Sequence, residues 1–425
     1  MAESPIFIVG AARTPIGKYG GALRSVHPAE LGAVAARAAF ARAGVEADDV
    51  DEVLIGHARQ AGSDPNPARQ VGIKAGVPDR VPAQTINKAC ASGMQTIATG
   101  AQAILLGDAR LVLAGGIESM SRMPYLVDSE DARWGHKMGN VTFVDAMYRD
   151  GFTCSVCGLI MGETVELLAR EYGISRDASD RYALESQQKA ERAIAAGVFK
   201  DEIAPVPLAD PRRPGLPPSR NAAADHRSLG VGGQARQLHT LDADEHPRAG
   251  ATIESLQKLP LVFSSVEGHA GIITAGSSSG ITDGGAAVVV AGADAVKTHG
   301  LTPLVKILGW ASAGVDPRRM GIGPVPAVHK LLKKTGLSLD DFDLVELNEA
   351  FAAQVLAVLK DLPIPAENVN VNGGAIALGH PIGCTGTRIV VTLIYEMIRR
   401  KARRGLATLC VSGGMGMAIA FELCD

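Results

Sequence analysis

Short apolar runs alternate along this chain with longer amphipathic stretches. "IFIVGA" (6–11), "DEVLIG" (51–56), "RLVLAGG" (110–116), "AAVVVAG" (286–292), "DLVELN" (343–348) and "ATLCVSGG" (407–414) are brief and rich in leucine or β-branched residues. Runs of that length, often closed by glycine, predict buried strands. Between them, residues 28–44, 161–173 and 177–196 carry apolar positions at helical spacing. The alternation predicts an α/β architecture, with helices covering buried sheets.

One pattern occurs twice. After Cys90 come small residues, a helical stripe of Met94, Ile97, Ala98, Ala101, Ile104 and Leu105, and a strand ending in Gly115-Gly116. After Cys384 come small residues, a stripe of Ile389, Val390, Leu393, Ile394, Met397 and Ile398, and a strand ending in Gly413-Gly414. Any two α/β units can share such a pattern. The other reading is a duplicated domain, with halves near 1–295 and 296–425. Residues 120–260 interrupt the first half with the two long helices and a Pro/Gly/Arg-rich stretch without periodicity. That region reads as an insertion carrying an exposed loop.

Composition narrows the function classes. A chain of 425 residues with 46% hydrophobic content fills two or three cores. A net charge of -3 gives no basic footprint, and 4% aromatics offer few stacking surfaces, so no nucleic-acid partner is expected. Cysteines stand at 90, 154, 157, 384, 410 and 424, too sparse for a disulfide scaffold. The start "MAESPIFIVGAARTP" has no leader pattern, and no apolar run reaches membrane-spanning length. The expectation is a cytoplasmic protein with no membrane partner.

Four stretches carry candidate chemistry. In "INKACASGMQ" (86–95), Cys90 stands where a helix starts. Free N–H groups there favour a thiolate and lower a thiol pKa from its usual ~8.5. A free cysteine is otherwise most often a buried packing residue. The glycine-rich "NVNGGAIALGHPIGCTG" (370–386) surrounds His380, which Pro381 stiffens. Beside a thiolate, such a histidine can take the thiol proton; elsewhere it is structural. "TLCVSGGMG" (408–416) puts Cys410 at a strand end before a glycine turn, either as core or as a second thiol acting as acid and base. "VELNEAFAAQ" (345–354) ends a strand with Asn348-Glu349, either a helix cap or a holder of a catalytic water.

Taken in order, "GAARTPIGKYGG", "NKACASG", "GGIESMS", "MGETVELLA", "ISRDASDRYALESQQKA", "DADEHPR", "ITAGSSSGITDGGAA", "NEAFA", "GGAIALGHPIG" and "CVSGGMG" span nearly the whole chain. The sequence resembles the thiolases, acyl-coenzyme A C-acyltransferases. The resemblance implies a duplicated αβαβα five-layer core with an inserted loop domain. It divides the chain into an N-terminal half (1–119 and 261–295), an inserted lid domain (120–260) and a C-terminal half (296–425). Cys90 matches the nucleophile and His380 the histidine that activates it. Cys410 matches the acid/base at the acceptor's α-carbon. Asn348 matches the residue holding a water that, with His380, binds a thioester oxygen. The N–H groups of Cys90 and Ser412 match a second oxyanion hole. Ser279, Met161 and Phe351 match positions lining the pantetheine tunnel. Coenzyme A and acyl-coenzyme A are then substrates, with no prosthetic group and no metal required. A homo-oligomer, tetramer or dimer, is implied, with "RWGHKMG" (133–139) in the region that joins dimers in tetrameric relatives.

The resemblance has departures. Ser412 replaces a usual glycine, and its N–H serves if its φ is ordinary. Ile160 stands where many relatives have histidine. "TCSVCG" (153–158) replaces a more aromatic lid segment, and predicts a larger, softer acyl pocket rather than a metal or redox pair. The loop at 209–236 bears Arg212, Arg213, Arg220, Arg227 and Arg236, either solvated or facing the coenzyme A 3′-phosphate.

Overall fold

The apolar runs become strands, and the strands join into one sheet. The computed structural model describes residues 4–208 and 239–424, so the arginine-bearing loop at 209–236 lies outside the described residues. The main strands are β1 (Ile6–Arg13), β2 (Glu52–His57), β3 (Ala83–Ile86), β4 (Leu111–Ser119) and β5 (Thr282–Gly292). They continue as β6 (Val305–Gly314), β7 (Leu344–Leu347), β8 (Arg404–Val411) and β9 (Met415–Leu423). Their spatial order is β7-β8-β9-β6-β1-β5-β4-β2-β3, and the short strand Gly17–Lys18 pairs with β5.

The order reads the same outward from its middle. One side runs β1-β5-β4-β2 and the other β6-β9-β8-β7. On each side the first two junctions are antiparallel and the third parallel. The halves meet where β1 pairs with β6, Phe7 opposite Lys306 and Ile8 opposite Val305. Two unrelated α/β units would not share strand order and direction at every junction. The sequence echo is a duplication.

The principal helices are α1 (Pro28–Ala43), α2 (Pro67–Ala75), α3 (Ser92–Leu106), α4 (Met161–Glu171) and α5 (Arg176–Ala195). They are followed by α6 (Pro324–Thr335), α7 (Ala352–Asp361) and α8 (Ile382–Arg400). Local signals set their ends. Pro28 opens α1, the His27 ring accepts from Ala29 N at 3.2 Å, and Gly44 closes the helix in the left-handed region.

Strand alternation builds the layers. On β5, Ala287, Val289 and Ala291 pack outward with Ala33, Ala36 and Ala39 of α1. Ala286, Val288 and Val290 pack inward with Met94 and Ile97 of α3 and Ile389 and Leu393 of α8. On β9, Ala418 and Ala420 join Val328 of α6 and Val355 of α7, while Met417, Ile419 and Phe421 join the inner core. The section is therefore helices, half-sheet, α3 with α8, half-sheet, helices. It is the expected five-layer core.

Two details differ from the sequence expectation. Leu105 and Ile398 sit in the last turns of the central helices, 41% and 40% exposed. Gly115-Gly116 lies within β4 rather than at its end, since pairing continues to Ser119. A Cβ on Gly116 would stand 2.4 Å from Gly383 O, so this glycine marks the close approach of α8. Among the described residues, no helix is long and apolar enough to cross a membrane.

Candidate active site

The segment before α3 holds Cys90 on a strained turn. Ala89 has φ of 45°, in a region that side chains rarely adopt. Ser92 fixes it: its Oγ accepts from Lys88 N at 2.8 Å and donates to Ala89 O at 2.7 Å. Ala91 is the N-cap, so Cys90 lies one residue outside the helix. The backbone N–H of Ser412 is turned toward its sulfur and favours the thiolate. Burial still pushes the thiol above its ordinary range, against the Ser412 N–H and the nearby Arg59 charge. The lowered pKa expected from helix position is not met, because desolvation outweighs both.

Cys410 is the penultimate residue of β8, opposite Gly416. It is buried, and its thiol is pushed far above the ordinary range by burial and then by proximity to Cys90. The following turn places its two positive φ angles at Gly413 and Gly414, 85° and 84°, and leaves Ser412 outside that region. The serine therefore presents its N–H without strain. A Cβ on Gly414 would stand 2.4 Å from Val315 O, so no side chain fits there.

His380 enters from the loop before α8. Its Nδ1 lies 2.6 Å from Thr385 Oγ1, whose single proton goes to Pro381 O at 3.0 Å. That geometry assigns the ring proton to Nδ1 and leaves the Nε2 lone pair free. Burial, then the charges of Arg388 and Arg59, hold His380 down at about 3. The ring is neutral at physiological pH and can accept a proton. Thr385 lies within a stretch the sequence singled out, but nothing in the residue pattern marked its partner.

Asn348 follows β7, anchored by its N–H to Thr408 O at 3.0 Å. Both polar atoms of its buried side chain lack a partner among the described residues. A buried amide in that state is built to hold a water or a ligand atom. Its neighbour Glu349 is fully occupied, accepting from Tyr182 OH at 3.0 Å, Ser186 Oγ at 2.7 Å, Asn370 Nδ2 at 3.1 Å and Ile376 N at 3.1 Å. Glu349 thus fixes the turn that carries Asn348.

The three expected lining residues share one wall. Ser279 N donates to Ala350 O at 3.0 Å, and Ser278 bridges to Phe351, the N-cap of α7. Met161 opens α4, where a Cβ on Gly162 would come within 3.6 Å of the Phe351 ring. The next residue, Gly280, accepts from His380 N at 3.1 Å and ties this wall to the histidine. Among the described residues, no hydrogen bond joins Ser279, Met161 or Phe351 to either cysteine.

Sequence reasoning missed two further groups. Glu118 Oε2 accepts from Gly383 N at 2.9 Å and its Oε1 from Arg59 N at 3.2 Å, pinning α8 to the nucleophile side. Arg59 sits alone in "HARQAG", with no periodic signal to mark it. The Cys154 and Cys157 thiols hydrogen-bond each other, and Cys154 also accepts from Gly413 N–H, so the lid segment abuts the Ser412 turn. Beside Cys90 opens a cavity of about 290 Å³, lined by Arg59, Ala89, Arg149, Cys154, Ser412 and Gly413 among others. A larger cavity of about 390 Å³, between Phe199 and Asp244, holds none of these groups.

Fold and local geometry together define a class: an α/β protein with a duplicated core, a cysteine on a strained turn before one central helix and a neutral histidine before the other. The comparisons with known proteins agree. The thiolase N-terminal domain matches residues 6–294 and the thiolase C-terminal domain residues 301–423. The chain belongs to the thiolase family. It is 47% identical to an acetyl-CoA acetyltransferase of Cupriavidus necator over 98% of this chain and 99% of that protein. It is 48% identical to an acetyl-CoA acetyltransferase of Pseudomonas aeruginosa over 97% of this chain and 98% of that one. The crystal structure of human mitochondrial 3-ketoacyl-CoA thiolase in complex with CoA matches with a TM-score of 0.89 and 42% identity, over 99% of this chain and 98% of that one.

Proposed function

We propose that this thiolase cleaves 3-ketoacyl-coenzyme A with coenzyme A, and runs the reverse Claisen condensation, through an acyl group carried on Cys90. The observation that supports this reading is that the Cys90 thiol, the Ser412 N–H turned toward it and the Cys410 thiol that senses its charge come together from two separate segments. A neutral His380, which feels the same Arg59 charge as Cys90, completes the set in this reading.

The chemistry follows from their states. The resting pair is thiol and neutral imidazole, so the proton moves to His380 Nε2 as Cys90 attacks the 3-keto carbon. The bond to the α-carbon breaks and leaves an acetyl-coenzyme A enolate. His380 and a water on Asn348 bind its oxygen, and Cys410 supplies the proton. The N–H groups of Cys90 and Ser412 receive the oxyanion on the acyl carbon, where one such donor is worth ~3 kcal/mol. Coenzyme A then takes the acyl group. In reverse, Cys410 removes the α-proton; its raised pKa makes it a strong base once ionised.

Ser279, Met161 and Phe351 line the coenzyme A path in this reading. It divides the chain at 1–119 with 261–295, 120–260 and 296–425, and extends to a cytoplasmic homo-oligomer, tetramer or dimer. The test is the magnesium-enolate absorbance of acetoacetyl-coenzyme A and longer 3-ketoacyl substrates. Loss of signal only when coenzyme A is added is expected. A steady signal across the whole series would reject catalysis and leave a binding protein.

A further inference from the structure

One wall of the cavity beside Cys90 is unused by the chemistry above. Arg59 is 7% exposed. Its Nη1 donates to Asp150 O at 2.9 Å, while its Nε is buried without a partner. Among the described residues, it forms no ion pair. The one carboxylate on the cavity wall, Asp150, has its Oδ1 held by Arg149 Nε at 3.1 Å. Two guanidiniums therefore share the wall with one carboxylate, and the carboxylate that reaches Arg59, Glu118, takes its backbone N–H at 3.2 Å rather than pairing with its guanidinium. A guanidinium out of water without an anion is costly to keep. It is also held firmly: a Cβ on Gly151 would stand 2.9 Å from its Nε and 3.1 Å from its Nη2. Asn87, Thr153 and Ser155 add further polar groups to the remaining wall, beside Cys154.

An acyl group on Cys90 has this cavity beside it. We propose that the enzyme takes 3-ketoacyl-coenzyme A substrates whose acyl chain ends in a carboxylate, with Arg59 as the group that receives that carboxylate. The inference rests on the thiolase reading and adds the substrate class. The step stays balanced. The C2–C3 bond of the substrate breaks and a C3–sulfur bond to coenzyme A forms. The thiol proton ends on C2 of acetyl-coenzyme A, so the second product is a coenzyme A monothioester of a dicarboxylic acid.

The test compares two 3-ketoacyl-coenzyme A substrates of equal length, one ending in carboxylate and one in methyl, with the purified full-length enzyme. A charge-assisted contact predicts a kcat/KM about 10- to 100-fold higher for the carboxylate-ended substrate. In Arg59→Gln that ratio collapses toward one, chiefly through KM, and Arg59→Lys restores part of it. The methyl-ended rate falls by a smaller factor, because Arg59 also favours the Cys90 thiolate. An equal fall for both substrates in Arg59→Gln would overturn the inference and leave Arg59 serving the thiol alone. Wild-type preference for the methyl end would overturn it while leaving the thiolase reading intact. No turnover of either substrate would sink both. Should the variants misfold, calorimetric titration of the wild type with the two saturated acyl-coenzyme A products decides. Carboxylate-ended product should bind at least about tenfold tighter, and equal affinity would overturn the inference.

Discussion

Cys90 and Cys384 sit near the start of the central helix in each half of a duplicated core, yet only one is equipped to react. Cys90 stands just outside α3, on the turn that Ala89 strains, with partial exposure and the Ser412 N–H turned toward its sulfur. Cys384 is the third residue of α8, 1% exposed, with burial pushing its thiol up to about 12. The difference is where the helix begins. α8 starts before its cysteine and wraps it in the core; α3 starts after its cysteine and leaves it on the loop. Duplication supplied the place twice, and backbone conformation decided which copy can bear an acyl group.

That contrast is easiest to break with paired variants. Cys90→Ala should lower thiolysis kcat by more than about 10⁴-fold. Cys384→Ala should leave it within about threefold and cost about 1–2 kcal/mol in a urea melt. Comparable activity losses would erase the distinction. Next in size, His380→Gln should cost about 10²- to 10⁴-fold in kcat. Thr385→Val should cost less and shift the pH–rate profile, because it frees the ring tautomer rather than removing the base.

The contact between the halves is sharpened by Gly386→Ala. Its Cβ would stand 2.4 Å from Met94 N, backbone that cannot swing aside. Overpacking there should cost about 1–3 kcal/mol by denaturant titration, with activity falling in step. The smallest effect is a pH dependence of stability. His380 is held at about 3 in the folded chain, against ~6.5 when unfolded. Its neutral form is favoured by folding, so stability is full above pH ~6.5 and declines as pH falls toward 3. Between pH 7 and pH 5 this one group should remove about 2 kcal/mol. His380→Gln should show a correspondingly flatter slope in urea melts at the two pH values.

Much of this was legible in the residues. The strands named from apolar runs form where expected, and α1, α4 and α5 match 28–44, 161–173 and 177–196 within a few residues. β3, β6 and β9 were not singled out. β6 alternates buried and half-buried positions and holds Trp310 and Ser312, so it lacks a continuous apolar run. Glycine turns and strand ends drew attention to Cys90, His380, Cys410 and Asn348 but left each open to a structural role, and the family resemblance supplied the functional one. What sequence could not supply was the balance of desolvation against donors. Helix position argues for a lowered Cys90 thiol, and only the packed surroundings reveal that burial wins. Arg59 was illegible for a related reason: a lone arginine in a loop says nothing until its guanidinium is seen buried without an ion pair among the described residues.

The central claim is that Cys90 alone carries the acyl group. The direct measurement is acid quench of the enzyme with an acyl-coenzyme A, within one turnover, followed by peptide mass spectrometry. The account predicts the acyl mass on the peptide containing Cys90, absent in Cys90→Ala, with Cys384 and Cys410 unmodified. An acyl adduct on Cys410, Cys154 or Cys157, with Cys90 free in an enzyme that turns over, would contradict it.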